Sequence, residues 1–159
     1  MSMTLTPNPR PTEQLLETLN YVTSNLDFYF RFINGGEFYG AEDANLKLLK
    51  KFVDANMPEF NRSLVISIKG SLDLTAFTIS SSKEEVSRSI ENIISHFPKD
   101  LSLRPKIIFE PCRVDPKVPY EETIGCVTAY VKAGKIDRVS ISKLLLNLSE
   151  RLLGFSLYL

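Results

Sequence analysis

An α/β fold organised on a parallel sheet is what this sequence predicts, and three observations predict it. Short apolar runs of strand length stand at Phe28–Ile33, Ser63–Ile68 and Lys106–Glu110. Before and between them, apolar residues recur at helical spacing: Leu15, Leu16, Leu19, Val22 and Leu26, then Val86, Ile90, Ile93, Ile94 and Phe97. Each run is followed by chemically useful residues, as though the strands ended at one rim. Strand–helix alternation of this kind implies parallel pairing with right-handed crossovers. Alternation alone leaves closure open. About five βα units could form a complete flavodoxin-like open sheet or the first part of an eight-unit barrel.

Taken in order, Met1–Leu5 reads as the end of a strand, broken by Pro7, Pro9 and Pro11. A first helix starts from Thr12 as N-cap, and the strand Phe28–Ile33 follows. The stretch from Phe32 to Gly40, polar and rich in glycine, reads as a turn into a helix opening near Asp43, with Leu46, Leu49, Phe52 and Val53 on one face. Pro58 and Asn61 are expected to end that unit before the strand Ser63–Ile68. Ser82-Lys83-Glu84-Glu85 is a capping box that opens the next helix. A helix from Tyr120, closed by Gly134, precedes a strand at Ile136–Ser142. The tail, 143–159, suggests a helix and a short strand at Phe155–Leu159.

Length and composition narrow the function classes. The 159 residues suit one domain, and 19 basic residues balance 19 acidic ones. No net field therefore favours nucleic acid or an anionic membrane surface. No apolar run approaches the ~20 residues of a spanning helix, and the first residues do not pattern as a signal peptide. Two cysteines, Cys112 and Cys126, are too few for a disulfide scaffold. The expectation is a cytoplasmic protein, in which the sequons at Asn61 and Asn147 are idle. No spacing suits a metal.

Four segments then act together. Asn34-Gly35-Gly36-Glu37-Phe38-Tyr39-Gly40, Ile68-Lys69-Gly70, Arg113-Val114-Asp115-Pro116-Lys117-Val118-Pro119 and Gly134-Lys135-Ile136 resemble, in order and spacing, an aldo-keto reductase. The nearest branch is the fungal pyridoxal reductases, and the resemblance covers roughly 1–142. It implies a TIM (β/α)8 barrel, here about the first five strand–helix units, that uses NADPH to reduce an aldehyde such as pyridoxal. It also implies a single domain over 1–159, truncated at its carboxyl end. A barrel of this kind takes about 250 residues. The family's cofactor contacts lie mostly in the last three strands, so no cofactor-binding residue is assigned.

The family site holds a tyrosine, a lysine, an aspartate and a histidine. Tyr39 matches the tyrosine, whose hydroxyl protonates the carbonyl oxygen. A free phenol titrates near about 10, so it needs a neighbouring positive charge to act near neutrality. Lys69 matches the lysine that supplies it. The aspartate position is Asn34, which can accept from Lys69 without adding charge. The histidine position is Cys112, a weak donor. Read without the resemblance, Tyr39 is a turn tyrosine, Lys69 a solvated strand end and Cys112 a small core residue. Glu37 reads as a solvated carboxylate, Gly35-Gly36 as turn chemistry, His96 as a surface residue, and Glu121-Glu122 as favouring a helix start.

Three functions follow as expectations. One is an NADPH-dependent carbonyl reductase acting on a small-molecule carbonyl. Another is an inactive fragment or interaction protein lacking the cofactor half, with self-association through open sheet edges. The last is an unrelated, complete open-sheet domain.

Overall fold

The computed structural model describes residues 3–24, 31–73 and 78–141. Eleven elements run in the order α1 (Thr12–Ser24), β1 (Arg31–Gly36), α2 (Ala44–Asp54), α3 (Pro58–Arg62), β2 (Leu64–Gly70), β3 (Leu72–Asp73), β4 (Thr78–Ile79), α4 (Lys83–Ser95), β5 (Lys106–Pro111), α5 (Tyr120–Lys132) and β6 (Arg138–Val139). Four strands form one sheet in the order β1-β2-β5-β6, and every pair is parallel. Sequential parallel neighbours joined through helices are the arrangement of a barrel wall rather than of a doubly wound sheet, whose strand order reverses. The architecture is α/β, a partial TIM barrel.

One face of this sheet is dry. Ile33, Leu64, Ile66, Ile68, Ile107 and Phe109 pack in a single core with Leu46, Leu49, Phe52, Ile90, Ile93 and Val127 from the helices. Alternation sends the intervening residues to the opposite face. Registers put them in rows: Phe32–Val65–Lys106, Asn34–Ser67–Ile108 and Gly36–Lys69–Glu110. No helix covers that face among the described residues, and Phe32 is 61% exposed there.

The helix starting at Lys83 forms as expected. Ser82 is extended and its hydroxyl accepts from the Glu85 amide at 3.2 Å. The reciprocal half of the capping box is missing, because the Glu85 carboxylate turns to Arg88 instead.

Several expectations are corrected. Residues 3–8 form turns and bends rather than a strand end. The first strand runs on to Gly36, so Asn34, Gly35 and Gly36 belong to β1 and not to a turn. Gly35 serves packing: a Cβ there would meet Asn45 Oδ1 at 2.6 Å and Leu49 at 3.0 Å. Pro58 opens a short helix, because a proline at the first position loses no intrahelical bond. The hairpin β3–β4 had no signal in the sequence. The strand expected at Ile136–Ser142 shrinks to two residues, Ile136 being packed in the core; Ser142 lies outside the described residues. Phe28–Phe30, Leu26 and the tail beyond residue 141 also lie outside them, as does the short strand expected at Phe155–Leu159.

Candidate active site

The glycine-rich segment after β1 is held from three directions. Its backbone continues the sheet for one more bond, the Glu37 amide donating to the Lys69 carbonyl at 2.8 Å. Asn45, fully buried on α2, accepts from the Gly36 amide at 3.1 Å and donates to Thr4 Oγ1 at 3.1 Å. Thr4 in turn donates to the Tyr39 carbonyl. Gly40 adopts φ 98°, and a Cβ there would lie 2.6 Å from the Thr4 carbonyl, so only glycine suits it.

Glu37 is the third anchor, and it overturns the solvated reading. Its side chain is fully buried and receives Arg88 Nη1 at 2.8 Å, Arg88 Nη2 at 3.1 Å, Ser89 Oγ at 2.6 Å and Asn92 Nδ2 at 2.8 Å. Asn92 also reaches Asp43 Oδ1 at 3.2 Å. His96 is not a surface residue either. It ends α4, lies 3.9 Å from Asp43 Oδ2 and keeps only 14% of its side chain exposed. One face of α4 thus grips the segment carrying Tyr39.

Tyr39 folds back so that its ring covers Gly36. A Cβ on Gly36 would touch three ring carbons at 2.9–3.0 Å. The ring therefore occupies the place of the missing residue-36 side chain, on the open face, in the row next to Lys69. No hydrogen bond joins the Tyr39 hydroxyl to Lys69 among the described residues.

Lys69 is engaged by its own row and by the row before it. Its ammonium donates to Asn34 Oδ1 at 2.7 Å and lies 3.2 Å from Glu110 Oε1. Glu110 Oε2 accepts from Asn34 Nδ2 at 2.8 Å and from Ser67 Oγ at 3.0 Å. Sequence reasoning missed Glu110; its place two residues before Cys112, on the same strand end as that candidate, was the available signal. Cys112 stands at the end of β5, half-buried, its amide donating to the Gly70 carbonyl at 3.0 Å. The structure thus brings Asn34, Lys69 and Glu110 into contact, sets the Tyr39 ring beside them, and leaves Cys112 at the adjoining strand end.

Burial pushes the Glu110 carboxyl up, but hydrogen bonds from Lys69, Ser67 and Asn34 and the Lys69 charge outweigh it and hold it below its ordinary 4.5. The same carboxylate and, more strongly, burial push the Tyr120 phenol up to about 12. A carboxyl depressed in the folded state adds stability above 4.5 and loses it as pH falls through the lower folded value. The native chain should therefore lose more stability between about pH 6 and about pH 3 than Glu110→Gln does. Urea unfolding at both pH values reads this, and parallel losses in the two proteins would refute it.

A parallel sheet whose strands follow one another in chain order, with helices between them, has the architecture of the α/β barrels. Within that class the sequence matches the Aldo/keto reductase family over residues 1–152. The chain belongs to that family. "Probable pyridoxal reductase 2" of Schizosaccharomyces pombe is 32% identical over 145 residues, 90% of this chain and 41% of that protein. An uncharacterized oxidoreductase of the same yeast is 29% identical over 142 residues, covering 88% and 40%. The solved aldo-keto reductase of Bacillus halodurans, in its holo form, superposes with a TM-score of 0.72 at 14% identity, over 96% of this chain and 48% of that one. The chain spans less than half the length of these relatives.

Proposed function

We propose that the chain carries the carbonyl-reducing rim of an NADPH-dependent aldo-keto reductase, acting in the cytoplasm on an aldehyde, pyridoxal reduced to pyridoxine being the favoured case. The observation that supports this reading most is the row in which the Tyr39 ring, Lys69 and Glu110 follow one another at the carboxyl ends of parallel strands. In this reading Tyr39 donates its phenolic proton to the carbonyl oxygen as that carbonyl is reduced. Lys69 supplies the positive charge that steadies the phenolate left behind. Asn34 orients Lys69 by accepting from its ammonium, and Cys112 lines the approach at the end of β5.

The first turns of α4 and α5 do not fit the phosphates of NADPH. Phosphate seats at helix N-termini need uncompensated backbone donors and positive potential. Here the first turn of α4 carries Glu84 and Glu85 beside the Ser82 cap, and that of α5 carries Glu121 and Glu122. No step is therefore assigned through the cofactor to these residues.

A second reading, an inactive fragment or interaction protein, draws support from the 41% coverage of its yeast relative and from the uncovered sheet face with Phe32 exposed. In this reading the chain self-associates through its open sheet edges. Incubation with pyridoxal and NADPH, followed at 340 nm, separates the two. Pyridoxal-dependent loss of absorbance by a monomer supports the first; no loss, with gel filtration showing assemblies larger than 18.0 kDa, supports the second.

A further inference from the structure

We propose that Glu110 is a positioning residue of this site, supplying from the third strand of the sheet the negative charge that holds the Lys69 ammonium. The first strand cannot supply it, because residue 34 is an asparagine. The proposal rests on Lys69 belonging to the candidate site.

The hydrogen-bond directions carry the inference. Asn34 works both ways at once, its Oδ1 accepting from Lys69 at 2.7 Å and its Nδ2 donating to Glu110 Oε2 at 2.8 Å. An aspartate at 34 could accept from Lys69 but could not donate to Glu110. Two carboxylates would then face each other at hydrogen-bond distance, and like charges so close disfavour ionisation of both. Asparagine at 34 and glutamate at 110 are therefore complementary choices: one anion, one bridging amide, one ammonium. Ser67, between them on β2, completes Oε2 with a bond of 3.0 Å. The carboxylate is held closely, since the Glu110 side chain is only 10% exposed. Its depressed titration agrees with a charge that is in use.

The group that Glu110 serves is Lys69, whose register partner is Gly36, the residue that the Tyr39 ring covers. Glu110 acts on the reacting centre only through that lysine. Its removal should leave the Lys69 amine more open to reagents, because the carboxylate 3.2 Å away no longer holds it, whereas a role in packing alone would not.

Competitive acylation of the chain at about pH 8, with each lysine quantified by mass spectrometry, measures this directly. It needs neither cofactor nor turnover, so it can fail while carbonyl reduction stands, and the reverse. Exposed Lys51 serves as the internal standard. In Glu110→Gln, Lys69 labelling should rise severalfold relative to Lys51, because the amine loses the carboxylate that engages it at 3.2 Å. Glu110→Asp should keep most of the protection. The double variant Asn34→Asp/Glu110→Gln restores one anion with the donor reversed and should return Lys69 to native labelling. If Glu110→Gln fails to fold while the double variant folds and protects Lys69, the charge requirement is supported. Unchanged labelling in a folded Glu110→Gln, or a double variant that leaves Lys69 reactive, overturns the proposal.

Discussion

Replacing Tyr39 by phenylalanine should lower the proposed carbonyl reduction by about 10²–10⁴-fold, the usual contribution of a positioned general acid. The fold should survive the change. The Tyr39 hydroxyl has no hydrogen-bond partner among the described residues, so its loss orphans no buried group. The ring, which does the packing on Gly36 and meets Phe38 edge-on at 5.1 Å between centroids, is retained. A change in activity without a change in unfolding is thus the expected signature. The assay is pyridoxal-dependent NADPH oxidation in this chain, or in a longer relative carrying the same Gly-Glu-Phe-Tyr-Gly turn. Turnover near that of the parent would remove Tyr39 from the role of acid.

The second large effect is on stability. Arg88→Ala should cost about 3 kcal/mol, because it leaves a fully buried Glu37 carboxylate without its cation. Ser89 and Asn92 still donate to Glu37, and Arg88 is itself 40% exposed, so the loss belongs at the low end for a broken buried pair. Lys50→Ala is the contrast: its pair with Asp54 is 48% exposed on both sides and its removal should cost less than about 1 kcal/mol. Arg88→Lys should fall between, since an ammonium cannot reproduce the two-pronged contact. Denaturant unfolding of the three variants ranks them, and equal losses for Arg88→Ala and Lys50→Ala would contradict the network. The same change loosens the segment that sets the Tyr39 ring beside Lys69. A drop in kcat larger than the rise in KM should accompany it if that placement matters.

Much of the frame was legible in the residue order. The helix from Lys83 could be placed because Ser82 caps it and Val86, Ile90 and Ile93 repeat at its period. The central strands could be placed because Ser63–Ile68 and Lys106–Glu110 are too short and too β-branched for helices. The resemblance in four segments led to the family that the match over residues 1–152 then established. Where local signals were ambiguous, the reading slipped: Asn34 to Gly36 look like a turn, yet they pair with Ser67 to Lys69 as strand. Glycines weaken a strand in isolation, but here Asn45 and the Tyr39 ring need the space that side chains would fill.

What sequence alone determined is therefore the alternation of elements, the parallel sheet, and the identities of Tyr39, Lys69, Asn34 and Cys112 as candidates. The elements depend on periodicity and capping, which act over a few residues, whereas the four candidates rest on the resemblance to the family. Only the tertiary structure decided that Glu37 is a buried anchor and that Glu110 is the counter-charge to Lys69. The partners of Glu37 on α4 lie 51–55 residues away, and Asn34 meets Glu110 across 76. At such separations sheet register and helix docking choose which charges meet. A carboxylate carries no local mark that tells burial from solvation until its donors are in place.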